Sequence, residues 1–150
     1  MKFYVAAKWK DRITVRQVYK LLESYGHKIT VDWTDHELPN ELNDNPVNTQ
    51  KFLEKWAVID IDGVRECDYL IALFLEKRHQ RGAMIELGAA LGCRKLIIVV
   101  GHAEDSSTLL KHPLIRHMAD INHLEQWLKQ IKKYDPNRQA SNSCEAAGMD

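Results

Sequence analysis

The sequence is poor in features that mark particular classes of protein. Its 150 residues include only three cysteines, Cys67, Cys93 and Cys144. An odd number of cysteines with no two close together argues against a disulfide framework and against a zinc knuckle. This cysteine usage fits a reducing compartment, and we expect a cytoplasmic protein.

The chain also lacks an excess of either charge and any long apolar run. Lysine and arginine number 21 and aspartate and glutamate number 21, so the formal net charge is zero. This balance favours neither a nucleic-acid backbone nor an anionic membrane as a partner. No apolar run approaches the roughly 20 residues of a membrane-spanning helix. We therefore expect no nucleic acid and no membrane among the partners.

Short apolar runs appear at intervals along most of the chain. Residues 69–75 and 96–100 are apolar without polar alternation, which is typical of strands covered on both faces of a parallel sheet. Three further strands are predicted over residues 2–7, 28–33 and 114–118. The second of these alternates apolar and polar residues, which predicts an edge strand with one wetter face.

Amphipathic stretches separate the predicted strands. The first helix is expected to start at Asp11 or Thr14 and to stop at Gly26, by capping-box and C-terminal glycine signals. Apolar residues at helical spacing predict three more helices. They span residues 49–66, with Gly63 as a candidate break, residues 83–91 and residues 121–131, the last capped by Asp120.

Five strands alternating with helices predict a single-domain, three-layer α/β fold of the flavodoxin/Rossmann-like type. We expect a five-stranded, mainly parallel sheet in the order 2-1-3-4-5, with a ligand crevice above strands 1 and 3, where the order reverses. The domain is expected to span residues 1–133. Residues 134–150 lose the apolar pattern and are predicted to be a disordered tail. The long polar loop of residues 34–48 is predicted to be a lid, a binding loop or poorly ordered.

Glu86 is the first candidate for chemistry. It is predicted to lie in the first turn of the helix that follows strand 3 and opens toward the crevice. Small neighbours, Gly82, Gly88, Ala89 and Ala90, allow a ligand or a backbone to approach closely. Two alternatives stay open, because an acid at a helix start also suits the helix dipole, and small residues also let a helix pack tightly on a sheet.

The carboxyl end of strand 1 supplies candidate binding residues. Lys8 and Arg12 belong to a loop that is either simply solvated or recognises a phosphate or carboxylate at the start of the first helix. Trp33 and His36 are candidates for stacking on a base, although a core tryptophan and a surface histidine are the more common outcome. We predict a crevice floor, with Glu86 at its rim, that consists of Ala6, Ala7, Lys8, Leu75 and Glu76.

Several ligand and catalytic motifs are missing. The chain has no Gly-rich dinucleotide loop and no P-loop, no Gly-x-Ser-x-Gly nucleophile elbow, and no metal-ligand pattern among its seven histidines. We predict neither a cofactor nor a metal. What remains is a set of carboxylates around a small-walled crevice. Cleavage at the anomeric carbon of a sugar needs such groups, because a carboxylate stabilises or traps the oxocarbenium-like transition state while a proton donor helps the leaving group.

The arrangement of these carboxylates resembles a known family. Asp60 and Asp68, an apolar strand, the motif Gly82-x-x-x-Glu86-x-Gly88-x-Ala90 and Lys95 are similar to the nucleoside 2-deoxyribosyltransferase family, to which the 2′-deoxynucleoside 5′-phosphate N-hydrolases are closely related. The opening residues 3–8 and residues 26–33 resemble a compact branch of this family. The resemblance covers the chain up to Leu128.

The resemblance implies roles for individual residues. Glu86 matches the nucleophile that attacks the anomeric carbon and holds the sugar covalently. Asp60 matches an aspartate that positions or protonates the substrate, and Tyr4 to Ala7 match the strand whose end contacts the sugar or base. Two departures concern the substrate: Gln80 stands near the place where transferases often carry another acid, and Lys8-Trp9-Lys10 replaces the Gly/Ser-rich loop of the hydrolases.

The basic loop of residues 77–81 borders the predicted site. It is either a solvated loop or a clamp on a 5′-phosphate. Lys8, Arg12, Arg78 and Arg81 around one crevice favour a small-molecule nucleoside or nucleotide as substrate. The predicted substrate-binding set is Tyr4, Ala6, Ala7, Lys8, Arg12, Trp33, Arg78, Arg81 and Gly82.

The expected activity is cleavage or transfer at the N-glycosidic bond of a (deoxy)nucleoside or its 5′-monophosphate, through a covalent glycosyl-Glu86 intermediate. The alternative is a non-catalytic nucleotide-binding or sensing module of the same fold. The resemblance also implies a homodimer or higher homo-oligomer, since relatives complete their sites across subunits.

Overall fold

The computed structural model describes residues 1–36, 46–76, 81–102 and 108–133. Within these ranges no helix combines the length and hydropathy that crossing a membrane requires. The predicted tail and most of the predicted polar loop lie outside the described residues, so their state and the domain boundary at residue 133 stay predictions.

One parallel sheet organises the molecule. Its strand order is β2-β1-β3-β4-β5, and every neighbouring pair is parallel. The predicted order is therefore confirmed, with the reversal between β1 and β3. The strands are β1 (Lys2–Ala6), β2 (Lys28–Ile29), β3 (Tyr69–Phe74), β4 (Leu96–Gly101) and β5 (Ile115–Met118).

Among the described residues, four α-helices cover the two faces of the sheet. α1 packs with α4, and α2 packs with α3. They span Arg12–Ser24 (α1), Pro46–Glu66 (α2), Arg81–Gly92 (α3) and Ile121–Lys133 (α4), and short 3-10 turns lie at Trp9–Asp11, Trp33–Asp35 and Thr108–Lys111.

The ends of α1 and α4 follow local capping chemistry. Asp11 occupies the N-cap position of α1, although its side chain makes no capping hydrogen bond. Beyond the other end of α1, Gly26 adopts φ +80°, which costs a glycine little. At the start of α4, the side chain of Asp120 accepts a hydrogen bond from the His123 backbone N–H at 2.8 Å, as predicted for a cap.

The second strand is shorter than predicted. It ends at Ile29, because Asp32 then nucleates a 3-10 turn by accepting hydrogen bonds from the backbone N–H and the hydroxyl of Thr34, at 2.9 and 2.6 Å. Trp33 turns into the core, where its indole N–H donates to the Val5 carbonyl at 2.6 Å. The prediction of a strand over residues 28–33 was wrong beyond Ile29.

The predicted break at Gly63 was also wrong, since α2 continues through it to Glu66. Gly63 is buried, and a β-carbon there would lie 2.4 Å from Val31 Cγ2 and 3.2 Å from Tyr4 Cδ2. Real β-carbons do not approach other atoms at 2.4 Å, so the glycine serves close packing of α2 on the sheet.

Candidate active site

Tyr4 and Glu86 form the centre of the site. The Tyr4 side chain is fully buried on β1, and its hydroxyl donates a hydrogen bond of 2.6 Å to Glu86 Oε1. A hydroxyl-to-carboxylate bond of this length is of the strong, charge-assisted kind. The bond joins residues 82 positions apart and fixes the carboxylate of α3 above β1.

Glu86 lies one turn further into its helix than predicted. α3 begins at Arg81, so Glu86 is in the second turn. The favourable effect of the helix dipole on an acid falls off within the first turn. The dipole alternative therefore explains little of the position of this carboxylate.

Burial changes the acidity of Glu86. Desolvation raises its pKa from 4.5 to about 7, the negative charge of Asp60 adds to the rise, and the Tyr4 hydrogen bond opposes it. Burial and the two carboxylates raise the pKa of Tyr4 well above its usual range, so Tyr4 stays a hydrogen-bond donor. Carboxyls with pKa values near neutrality are typical of catalytic sites.

Asp60 is the second carboxyl of the site. It lies on α2, and burial raises its pKa from 3.8 to about 6. Its charge acts on both Tyr4 and Glu86. The structure therefore brings together the two residues that the sequence predicts to be catalytic, within electrostatic reach of one another.

His36 and Trp56 surround Asp60. The His36 ring stacks on Trp56 with centroids 3.3 Å apart, and its Nδ1 lies 3.8 Å from Asp60 Oδ1. The side chain of His36 is only 9% exposed, so the expectation of a surface histidine was wrong. Burial lowers the pKa of His36, which favours the neutral imidazole.

Three polar atoms of this group are buried without a hydrogen-bond partner among the described residues: Asp60 Oδ1, His36 Nε2 and Trp56 Nε1. Buried polar atoms normally find partners, because leaving them unpaired costs about 1–3 kcal/mol each. Such a cost is retained where a ligand completes the bonds. Trp56 was missed as a site residue. Its position one helical turn before Asp60 was the available signal.

The predicted floor residues meet at the carboxyl ends of β1 and β3. Ala6 is buried and Ala7 is partly buried, and both leave the surface above β1 without a long side chain. Lys8 Nζ lies 3.8 Å from Glu76 Oε2, and Lys10 Nζ donates to the same oxygen at 2.5 Å. These contacts span the neighbouring strands β1 and β3, where the crevice was predicted.

Trp33 and Arg12, two of the predicted binding residues, contact residues outside the pair of carboxyls. The indole N–H of Trp33 is used by Val5 and is unavailable to a base. The Arg12 guanidinium lies 4.9 Å from the centroid of the Trp9 ring. Arg81 and Gly82 are exposed at the start of α3. Arg78 and Gln80 lie outside the described residues.

A separate pocket of about 330 Å³ lies beside the crevice. It shares Leu75 with the predicted floor but includes neither Glu86 nor Asp60. Its lining is Leu75, Gly101, His102, Ala119, Asp120, Ile121 and Asn122. In the part of the chain that the structure describes, no group of three or more His, Cys, Asp or Glu side chains is placed to hold a metal ion.

Two solved structures resemble this fold. CMP N-glycosidase BcmB from Clostridium botulinum superposes with a TM-score of 0.61 at 18% identity, covering 87% of this chain and 99% of that chain. A 2-deoxyribosyltransferase from Bacillus psychrosaccharolyticus gives a TM-score of 0.63 at 16% identity, covering 83% of this chain and 90% of that chain. No functionally curated protein matches the sequence significantly.

The sequence itself settles the family. The family model described as nucleoside 2-deoxyribosyltransferase matches residues 3–124, which include Tyr4, Asp60 and Glu86 and most of the described fold. The resemblance stated from the motifs is thereby confirmed, and the chain belongs to the nucleoside 2-deoxyribosyltransferase family.

Proposed function

We propose that the protein cleaves or transfers the N-glycosidic bond of a (deoxy)nucleoside or nucleoside 5′-monophosphate through a covalent glycosyl-Glu86 intermediate. The observation that carries this proposal is the buried Tyr4–Glu86 hydrogen bond, with Asp60 in the electrostatic field of the pair. Family membership supports it. The printed names of the two similar structures, a CMP N-glycosidase and a 2-deoxyribosyltransferase, describe chemistry of the same kind.

In the first step, the Glu86 carboxylate attacks C1′ of the sugar. The C–N bond breaks, its electron pair goes to the base nitrogen, and the proton that the base needs comes from Asp60. Tyr4 holds Glu86 by its hydrogen bond and orients the attacking oxygen. In the second step, the ionised Asp60 takes a proton from water or from another base as that molecule attacks C1′ and releases Glu86, which gives hydrolysis or transfer respectively.

The reactive form carries one proton on the two carboxyls. It needs Glu86 ionised and Asp60 protonated. Burial raises the pKa of Glu86 to about 7 and that of Asp60 to about 6, so a minor fraction of the singly protonated enzyme holds the proton on Asp60. A bound base that covers Asp60 from water raises this fraction, because desolvation favours the neutral acid.

The group of His36, Trp56 and Asp60 is proposed to receive the base. Trp56 Nε1 is a donor, Asp60 Oδ1 accepts when ionised, and His36 Nε2 takes either role according to its tautomer. A heterocyclic base presents complementary donors and acceptors on its edge. Binding there places the leaving nitrogen near the proton of Asp60.

The experiment follows free base released from 2′-deoxynucleosides, ribonucleosides and their 5′-monophosphates, with and without an acceptor base. Glu86→Gln is the matched control, since glutamine still accepts the Tyr4 hydrogen bond but is a poor nucleophile. Base release or exchange that is lost in the control supports the proposal. Thermal stabilisation by nucleotides without any product would instead support the non-catalytic binding module.

The covalent step has its own test. A 2′-fluoro substrate analogue slows the second step, because fluorine destabilises the oxocarbenium-like transition state. The intact protein is expected to gain the mass of the glycosyl group, with the modified peptide containing Glu86. An unmodified protein that still releases base from the analogue would contradict the covalent intermediate.

A homo-oligomer is proposed through the outer face of α3. Met84 and Ile85 are 37% and 67% exposed, and Gly88 between the turns leaves open space where a β-carbon would stand. Exposed apolar side chains beside a small residue on one helix face suit close packing against a second copy of the chain. We expect Ile85→Lys to shift the mass measured by light scattering to that of a monomer, whereas an unchanged mass would refute this face.

Cytoplasmic location stays a proposal. Its support is the cysteine usage, since Cys67 is buried and free and Cys93 is exposed and free. Fractionation of cells that express the full chain tests it directly, and recovery of the protein outside the cytoplasm would contradict it.

A further inference from the structure

Three charged side chains bridge the mouth of the crevice. Lys8 and Lys10 follow β1, Glu76 follows β3, and the carboxylate of Glu76 accepts both ammonium groups as ion-pair partners. β1 and β3 are neighbours in the sheet, with Ala6 opposite Ala72. The ion pairs therefore cross the sheet at the position where its strand order reverses.

Lys8 follows the strand that carries Tyr4, the hydrogen-bond partner of Glu86. Although β1 ends at Ala6, the backbone of Lys8 is still extended, with φ −73° and ψ 149°. Tyr4 and Ala6 alternate along β1 and face the same side of the sheet, and Lys8 lies two residues beyond Ala6. Tyr4 and Lys8 are about 13 Å apart along such a chain, and Ala6 leaves the space between them free of a long side chain.

The pairing of Lys8 is incomplete. Its side chain is 18% exposed, and its contact with Glu76 is 3.8 Å, longer than a hydrogen bond. Lys10 holds Glu76 more closely, but those two side chains are 54% and 47% exposed. Ion pairs with that exposure to water contribute little and exchange readily. An anion of higher charge than a carboxylate is able to replace Glu76 at both lysines.

We infer that Glu76 sets the charge that this crevice accepts at the 5′ end of the sugar, by competing with a substrate phosphate for Lys8 and Lys10. This inference rests on the proposed function, because Glu86 must mark the position of C1′. Glu76 then acts as an internal anion. It lowers the positive charge that Lys8 and Lys10 present, and so reduces the advantage of a 5′-monophosphate over the unphosphorylated nucleoside.

The net charge of the three side chains predicts the direction of each substitution. It is +1 in the natural chain, +2 in Glu76→Gln, 0 in Lys10→Met, and +1 again in the double variant. A phosphate monoester carries about −1.5 to −2 at neutral pH. One unit of charge a few ångströms from it, in a partly solvated site, changes binding by about tenfold.

The experiment measures kcat/KM for a 2′-deoxynucleoside 5′-monophosphate and for the matching 2′-deoxynucleoside, and takes the ratio. We expect Glu76→Gln to raise the ratio about tenfold, Lys10→Met to lower it about tenfold, and the double variant to return it near the natural value. Added salt is expected to reduce the preference for the 5′-monophosphate most in Glu76→Gln. Glu23→Gln, an equal loss of charge on the exposed surface of α1, is the control and should leave the ratio unchanged.

The outcomes separate this inference from the proposed function. Base release with a ratio that stays the same across the four proteins, whose net charges run from 0 to +2, would overturn the role of Glu76 and leave the glycosidic chemistry standing. If no variant released base, the proposed function would fail. The inference would then be decided by the dissociation constants of the same two ligands, measured by calorimetry on the same variants. Equal constants across the series, or no binding at all, would overturn it.

Discussion

Replacing Glu86 by glutamine is expected to stabilise the folded protein while abolishing turnover. The folded pKa of Glu86 is raised from 4.5 to about 7. The folded state therefore holds this proton more tightly than the unfolded state, and ionising Glu86 costs stability. The cost is absent well below pH 4.5, grows between the two pKa values and is constant above the folded pKa.

The shift sets the size of the effect. About 2.5 pKa units at 1.36 kcal/mol per unit give about 3 kcal/mol. We expect Glu86→Gln to exceed the natural protein in free energy of unfolding by about 1 kcal/mol at pH 5 and by about 3 kcal/mol at pH 8, because glutamine carries no charge to bury. Any pH-independent change in the Tyr4 hydrogen bond adds equally at both pH values.

Urea unfolding at pH 5 and pH 8, at one protein concentration, measures this difference. Contributions from Asp60 and the other titrating groups are common to both proteins and largely cancel. Glu23→Gln, at an exposed position of α1, serves as the matched control and should show no pH-dependent gain. A difference in stability between the two proteins that does not grow from pH 5 to pH 8 would refute the raised pKa of the buried Glu86 carboxyl.

Further perturbations separate the parts of the site. Tyr4→Phe removes the hydrogen bond that lowers the pKa of Glu86, so the alkaline limb of the pH–rate profile should move up and kcat should fall by roughly a hundredfold; an unchanged alkaline limb would show that this hydrogen bond does not lower the pKa of Glu86. Asp60→Asn should slow release of ordinary bases by roughly a hundredfold or more but spare a good leaving group such as p-nitrophenol, and equal losses for both would contradict a proton-donor role. The natural enzyme should show a bell-shaped profile with limbs near pH 6 and 7, from Asp60 and Glu86, which a flat profile would disprove. Gly63→Ala should lower the free energy of unfolding by about 1–3 kcal/mol through overpacking against Val31, and Val31→Ala in the same chain should restore part of it; lack of any rescue would point to another cause.

Most of the fold follows from local patterns. The apolar runs of β3 and β4 allow only a strand covered on both faces, and their positions were predicted to within one residue of Tyr69–Phe74 and Leu96–Gly101. The alternation of Ile29, Val31 and Trp33 was ambiguous, because an aspartate-capped turn also directs every second side chain inward. Nothing within a few residues of Asp32 reveals which arrangement the core will favour.

The site was predictable only where one residue type carries the chemistry. Glu86 and Asp60 were predicted because carboxylates are needed at an anomeric carbon and because the motif resembled a family, and their catalytic roles stay predictions. The stack of His36 on Trp56 joins residues 20 positions apart in the sequence, and no local pattern encodes that contact. The hydrogen bond between Tyr4 and Glu86 is likewise a product of the sheet order, which brings β1 under α3.

The close contact at Gly63 has a consequence for how the two carboxyls are spaced. Gly63 follows Asp60 by one helical turn and rests against the ring of Tyr4, the residue that holds Glu86. The absence of a β-carbon at Gly63 therefore lets α2 pack closely and helps set the distance between the carboxyls of Asp60 and Glu86. A larger residue would push α2 outward, move Asp60 away from Glu86 and weaken the part of the Glu86 pKa rise that comes from the charge of Asp60. A residue that does not contact the substrate can thus change the pH dependence of the protein, through the closeness with which one helix packs on the sheet.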